Sequence, residues 1–161
     1  MPILGWGSAS TKFGLKVVNT ASTITIKVKL VWKVMPNGEL FFGTNDYCRK
    51  QLRKVLGMVV GNGLQAHHII PLNLQLNPIV QKAAKSSNAF HMNEALNGIP
   101  LSTAVHNGSH SHYDGLIESY LNALPSTATP DQCFTKVQEV INRVRTAIAN
   151  NPNTPINQLN F

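Results

Sequence analysis

Gln65-Ala66-His67-His68-Ile69-Ile70-Pro71 sets two adjacent imidazoles inside an apolar run that ends at a proline. The run reads as a strand from Leu64 to Ile70, stopped by Pro71 because proline brings no amide hydrogen to a ladder. Neighbouring strand residues point to opposite faces, so both histidines serve one site only where the strand ends or distorts beside them. A lone histidine in such a run is ordinarily a core residue. A pair followed by further histidines at ligand-like spacing reads as a site.

Downstream, Gly98-Ile99-Pro100-Leu101 forms a second, brief strand after Asn97. Then comes His106-Asn107-Gly108-Ser109-His110-Ser111-His112. On a continuous helix His106 and His110 lie one turn apart on one face, the separation at which two imidazoles bind one cation. Gly108, and Ser111 with Asp114 spaced as a capping box, start the regular helix late and leave His106 on the preceding turn. His110 is accordingly the first candidate ligand, His106 the second and His112 the third. The helix from Ser111 carries Tyr113, Leu116, Ile117, Tyr120, Leu121 and Leu124 at spacings of three and four. Asn77-Pro78 opens a short helix through about Lys85, and Thr129-Pro130-Asp131-Gln132 opens a last one carrying Phe134, Val137, Ile141, Val144 and Ile148. The tail from Asn150 to Phe161, rich in Asn and Pro, reads as extended.

Upstream, Thr23 to Val34 alternates, with Ile24, Ile26, Val28, Leu30 and Trp32 on one face and Lys27, Lys29 and Lys33 on the other. Pro36-Asn37-Gly38-Glu39 turns the chain into Leu40-Phe41-Phe42, making a hairpin. Thr44 or Asn45 caps a helix through about Val59, with Tyr47, Leu52, Val55 and Leu56 inward and Arg49, Lys50, Arg53 and Lys54 outward. The formal charge of +7 sits wholly in this first part, while the histidines all follow it. Such a surface draws a polyanion by counterion release without reading bases; a solvated Lys-rich sheet face is the alternative. The candidate nucleic-acid contacts are Lys27, Lys29, Arg49, Lys50, Arg53 and Lys54.

A chain of 161 residues with 43% apolar composition sustains one folded unit. No stretch approaches a membrane span, and Cys48 and Cys133 do not make a disulfide framework or a cysteine zinc knuckle.

Together, Ala66-His67-His68-Ile69-Ile70-Pro71, Asn97-Gly98-Ile99-Pro100-Leu101, His106-x-Gly-Ser-His110 and Tyr113 resemble the AHH family of the HNH superfamily, nucleases often found as toxin domains of bacterial secreted proteins. The resemblance covers roughly residues 60–125. It implies an α+β fold with a ββα-metal core at 61–125; the sequence pattern sets before it, at 1–60, a basic β-hairpin and helix within the same unit, and after it, at 126–161, a helix and tail. It implies one divalent metal, with His67 as the strand ligand, His68 as general base, Asn97 orienting that base, and His106 and His110 as ligands on the helix side; the roles within the pair can be exchanged. Imidazole suits both tasks, since its pKa of about 6.5 lies near working pH and, when neutral, it binds a metal without cancelling its charge.

The expected function is metal-dependent endonucleolytic cleavage of DNA without sequence preference, using Mg2+ or Zn2+, with Ni2+ and Mn2+ as further options. The expected setting is a secreted or injected bacterial effector acting in the target-cell cytoplasm and neutralised in its producer by an acidic immunity protein. The alternatives are a ribonuclease, and a noncatalytic module in which zinc is structural and the basic surface binds nucleic acid or protein.

Overall fold

A computed structural model describes residues 13–20 and 27–161. Strand β2 (Lys27–Val34) follows the alternation read from the sequence: Val28, Leu30 and Trp32 are buried, and Lys27, Lys29 and Lys33 are exposed. The expected start of that strand, with Ile24 and Ile26, lies outside the described residues. The 36–39 turn returns the chain into β3 (Leu40–Phe41), antiparallel to β2, with the Gly38 amide donating to the Met35 carbonyl at 2.8 Å. On its other side β2 pairs antiparallel with β1 (Phe13–Asn19), a strand that the sequence pattern does not announce. Its Leu15 and Val17 stand exposed, the reverse of the arrangement that marks a half-buried strand.

Helix α1 (Asn45–Val55) is capped by Thr44, whose hydroxyl accepts from the Tyr47 amide. It stops short of Val59. The Arg53 guanidinium donates to the carbonyls of Val59 and Leu64, and Gly57 takes a φ of +64°, so the chain folds back towards the next strand. Cys48, Leu52 and Val55 form the buried stripe. Tyr47, expected inside, is 38% exposed, because Cys48 occupies the position one turn before Leu52.

The β4 strand (Leu64–His68) pairs antiparallel with β5 (Gly98–Ser102), His68 opposite Gly98 and Ala66 opposite Pro100. Helix α1 packs so closely on this pair that a Cβ on Gly98 would stand 2.5 Å from Leu52 Cδ1. The ladder ends at His68, two residues before the expected end. Four helices complete the chain: α2 (Pro78–Ala84), the single turn α3 (Thr103–His106), α4 (Ser111–Asn122) and α5 (Pro130–Asn150). Both hydrogen bonds of the Thr129–Gln132 capping box are present at α5.

At α4 the expected Ser111–Asp114 box does not form. Asp114 Oδ2 accepts from Asn73 instead, and the open amides of His112 and Tyr113 donate to Asn157 Oδ1 in the tail. The tail is therefore a docked element rather than an extended strand of chain, with a 3-10 turn at Ile156–Gln158 and with Ile156 and Leu159 buried.

Ile69, Ile70, Tyr113, Ile117, Leu121, Val137, Ile141 and Val144 share one core. The first sheet is tied to it by Gln81, which bonds both the amide and the carbonyl of Leu40, and by a 2.6 Å ion pair between Lys16 and Glu94. The architecture among the described residues is α+β, two small sheets with five helices, in which β4, β5 and α4 make the ββα unit. No helix among these residues is long and apolar enough to cross a membrane.

Candidate metal centre

His67 and His68 leave β4 on opposite faces of the strand, yet both line one cavity of about 340 Å3. The reason lies just beyond them. The Ile69 amide bonds the Asn97 carbonyl, and the Asn97 side chain then takes the place of a partner strand, accepting from the Ile70 amide at 2.6 Å and donating to the Ile70 carbonyl. The strand therefore bends at the histidine pair instead of running on to Pro71.

From the opposite side, α3 ends at His106, Asn107 is extended, and Gly108 turns with a φ of +104°, a conformation that a side chain would strain. His110 follows as the residue preceding α4. This break brings His106 and His110 together as well as a continuous helix would, with their rings 5.0 Å apart. The His67 ring lies 5.0 Å from His106 and 5.7 Å from His110. One ligand nitrogen from each of the three lies within 4.8 Å of the other two. His112, the third candidate, turns instead towards Asn160 in the tail.

The donor set suits a metal cation. His67 Nε2 is buried without a hydrogen-bond partner, a costly arrangement for a nitrogen with no ligand to meet. Burial, reinforced by the charges His106, His110 and His68 would carry, holds His67 well below its usual pKa, so its imidazole is neutral at neutral pH. His106 Nδ1 donates to Gln65 Oε1, and His110 Nε2 donates to the His106 carbonyl at 2.7 Å, which leaves the other nitrogen of each ring as an acceptor.

His68 stands outside this triad. Burial lowers its pKa to about 4, with Arg49 and His106 acting in the same direction and a hydrogen bond to Asn93 opposing them. Its Nε2 donates to Asn93 Oδ1 at 2.9 Å, leaving Nδ1 as the basic nitrogen. Asn97, expected to orient this ring, does not touch it: its amide is taken up by the backbone of Ile70 and Met92. The sequence reading missed Asn93, which lies four residues earlier in the same block and has no spacing signal of its own.

His91 fixes Asn93. Its Nδ1 accepts from the Asn93 amide, its Nε2 donates to the Val31 carbonyl, and its ring lies against Trp32 and Phe42. This is a satisfied core histidine, and it makes acid stability predictable. Burial lowers its pKa to about 4, against about 6.5 in an unfolded chain. Stability from His91 is complete above about pH 6.5, falls as pH drops because only the unfolded chain takes up the proton, and levels off below about 4. The loss is about 3 kcal/mol across that window. Denaturant titrations of wild type and His91→Gln at pH 7 and pH 4.5 check it: the variant should show the smaller pH dependence, and equal slopes would remove His91 as a source.

The expected basic contacts divide. Arg49 borders the first cavity and a second of about 470 Å3 beside it, while Arg53 borders only the second. Lys50 and Lys54 border neither. Lys27 and Lys29 lie on the outer face of the first sheet, whose inner residues Val28 and Leu30 pack with Val55 of α1, so they face away from the metal centre.

This ββα unit with its histidine triad and neighbouring imidazole is that of a nuclease in the HNH/ENDO VII superfamily. Within it the chain belongs to the AHH family, described as a nuclease family of that superfamily with conserved AHH, whose sequence profile matches residues 50–148. No curated protein and no solved structure matches the chain significantly. The family makes nucleic acid the substrate and a divalent metal the cofactor of the activity.

Proposed function

We propose that the chain is an endonuclease that hydrolyses DNA phosphodiesters. The observation that carries this reading is a three-imidazole set, with ligand atoms within 4.8 Å of one another, in the same cavity as a fourth imidazole held by Asn93. His67, His106 and His110 would hold a divalent ion, which when bound would supply positive charge to the phosphate under attack. His68 Nδ1 accepts a proton from the attacking water as its oxygen bonds phosphorus, and the bond from phosphorus to the leaving oxygen breaks. An all-imidazole set favours Zn2+ or Ni2+ over Mn2+ and Mg2+, which prefer oxygen ligands.

Three ligands among the described residues, rather than four, support catalysis over a structural zinc. Stripping the metal with a chelator is expected to abolish plasmid cleavage while the far-ultraviolet circular dichroism stays within a tenth of its starting value, taking about a tenth as the working error. Loss of the fold would instead favour the structural reading.

Neither cavity offers an aromatic platform other than histidine for stacking bases, which supports contact through the backbone and no sequence preference. Plasmid DNA and an RNA transcript of the same sequence, incubated in parallel, separate the two substrates: DNA should be cut, and cleavage of RNA alone would reassign the enzyme. The effector setting, with an acidic immunity protein, is supported by the +7 charge and by the toxin domains that this chain resembles. Growth arrest on expression in a bacterial cytoplasm, absent with His68→Ala, is the expected result.

A further inference from the structure

Helix α1 carries Arg49, Lys50, Arg53 and Lys54, but its geometry gives them different surroundings. Arg53 is committed to structure, its guanidinium donating to the carbonyls of Leu64 at 3.0 Å and Val59 at 2.9 Å. Arg49 lines both cavities where they meet at Ala66, His106 and His110. It makes no ion pair; those among the described residues are Lys16–Glu94 and Lys136–Glu139. Among the described residues no hydrogen bond engages its guanidinium either. Arg49 is exposed, and a cation that borders His68, His106 and His110 without a partner among the described residues is free to meet an anion there.

We infer that Arg49 is the phosphate clamp of this site: its guanidinium takes a nonbridging oxygen of the phosphodiester that lies across the seam of the two cavities, opposite His67, His106 and His110. The inference rests on the nuclease reading and adds a substrate-binding residue to it. The fork of a guanidinium matches two oxygens of one phosphate, and it stays charged at every working pH. As water adds to phosphorus, negative charge grows on the nonbridging oxygens. The contact therefore strengthens towards the transition state and acts on kcat more than on KM. Arg49 lies one residue before the span matched by the family, so the clamp comes from the N-terminal part of this chain.

The test uses the full chain loaded with metal and compares Arg49→Ala, Arg49→Lys and Lys85→Ala, the last removing an equal charge from an exposed site that borders neither cavity. Arg49→Ala is expected to lower kcat about 10²–10³-fold with a smaller change in KM. Arg49→Lys should recover only part of that loss, and Lys85→Ala should stay within about twofold, the scale of a remote surface charge. Similar kcat values for Arg49→Ala and Lys85→Ala would overturn the clamp.

A second measurement is independent of turnover. In metal-free wild type, the Arg49 Nε–H resonance should shift and saturate on titration with a short DNA duplex, and an unmoved resonance overturns the inference even where cutting is intact. A saturating shift in a wild-type protein that cuts nothing would sustain the clamp and instead defeat the nuclease reading.

Discussion

His68→Ala is expected to lower kcat for DNA cleavage by about 10²–10⁴-fold, the usual contribution of a positioned general base, while metal affinity stays within a few-fold of wild type. The two halves of that result separate the roles of the adjacent histidines. His67 belongs to the triad whose nitrogens converge, and His68 does not. A plasmid-nicking assay gives the first quantity and calorimetric titration of the metal the second. Full activity in the variant would remove His68 from the mechanism. Loss of metal binding with residual cutting would exchange the roles of the pair.

Asn93→Leu offers a graded companion. Without Oδ1 to accept the Nε2 proton, the ring is free to adopt the other tautomer, and a fall of about 10–100-fold is expected, typical for the loss of a group that orients a functional histidine.

Much of this site is legible in the sequence. The apolar run around His67-His68, the short strand after Asn97 and the glycine between His106 and His110 define strand, strand and helix, because each signal is local. What escaped was set by contacts distant in sequence. Asn97 reads as a residue facing His68, but its amide replaces a missing ladder partner for Ile70, which only the bend of β4 requires. Asn93 acquires its task from His91, which is itself anchored by Val31 of β2. No period within residues 90–97 encodes a contact to residue 31. The capping of α4 escaped for the same reason: a local Ser111–Asp114 pair was outcompeted by Asn73 and Asn157. Strand β1 escaped because its exposed side chains are the apolar ones.

The histidine triad carries a stability prediction as well as a catalytic one. In metal-free protein, His67 Nε2 is buried with no partner, and leaving such a nitrogen unsatisfied costs about 1–3 kcal/mol. The phenyl ring of phenylalanine is one ring atom larger than imidazole and carries no polar atom. His67→Phe, studied in chelator, is therefore expected to unfold at the same denaturant midpoint as wild type or a higher one, although it replaces a residue only 3% exposed. The same variant should lose the stabilisation that wild type gains from added metal, because ligand binding raises stability only where the folded state has the site. Cleavage should fall to background, with His106 and His110 left as two ligands, too few to fix an ion for catalysis. Denaturant titrations with and without metal measure both effects in one experiment. A metal-free His67→Phe protein that is markedly less stable than wild type would mean that the His67 ring is held by packing the phenyl group cannot copy. Metal-dependent stabilisation that survived the substitution would place the ion elsewhere. A nitrogen that destabilises the empty fold and holds the metal in the loaded one is a cost retained for function, and the opposite signs expected in chelator and in metal are what separate it from an ordinary core histidine.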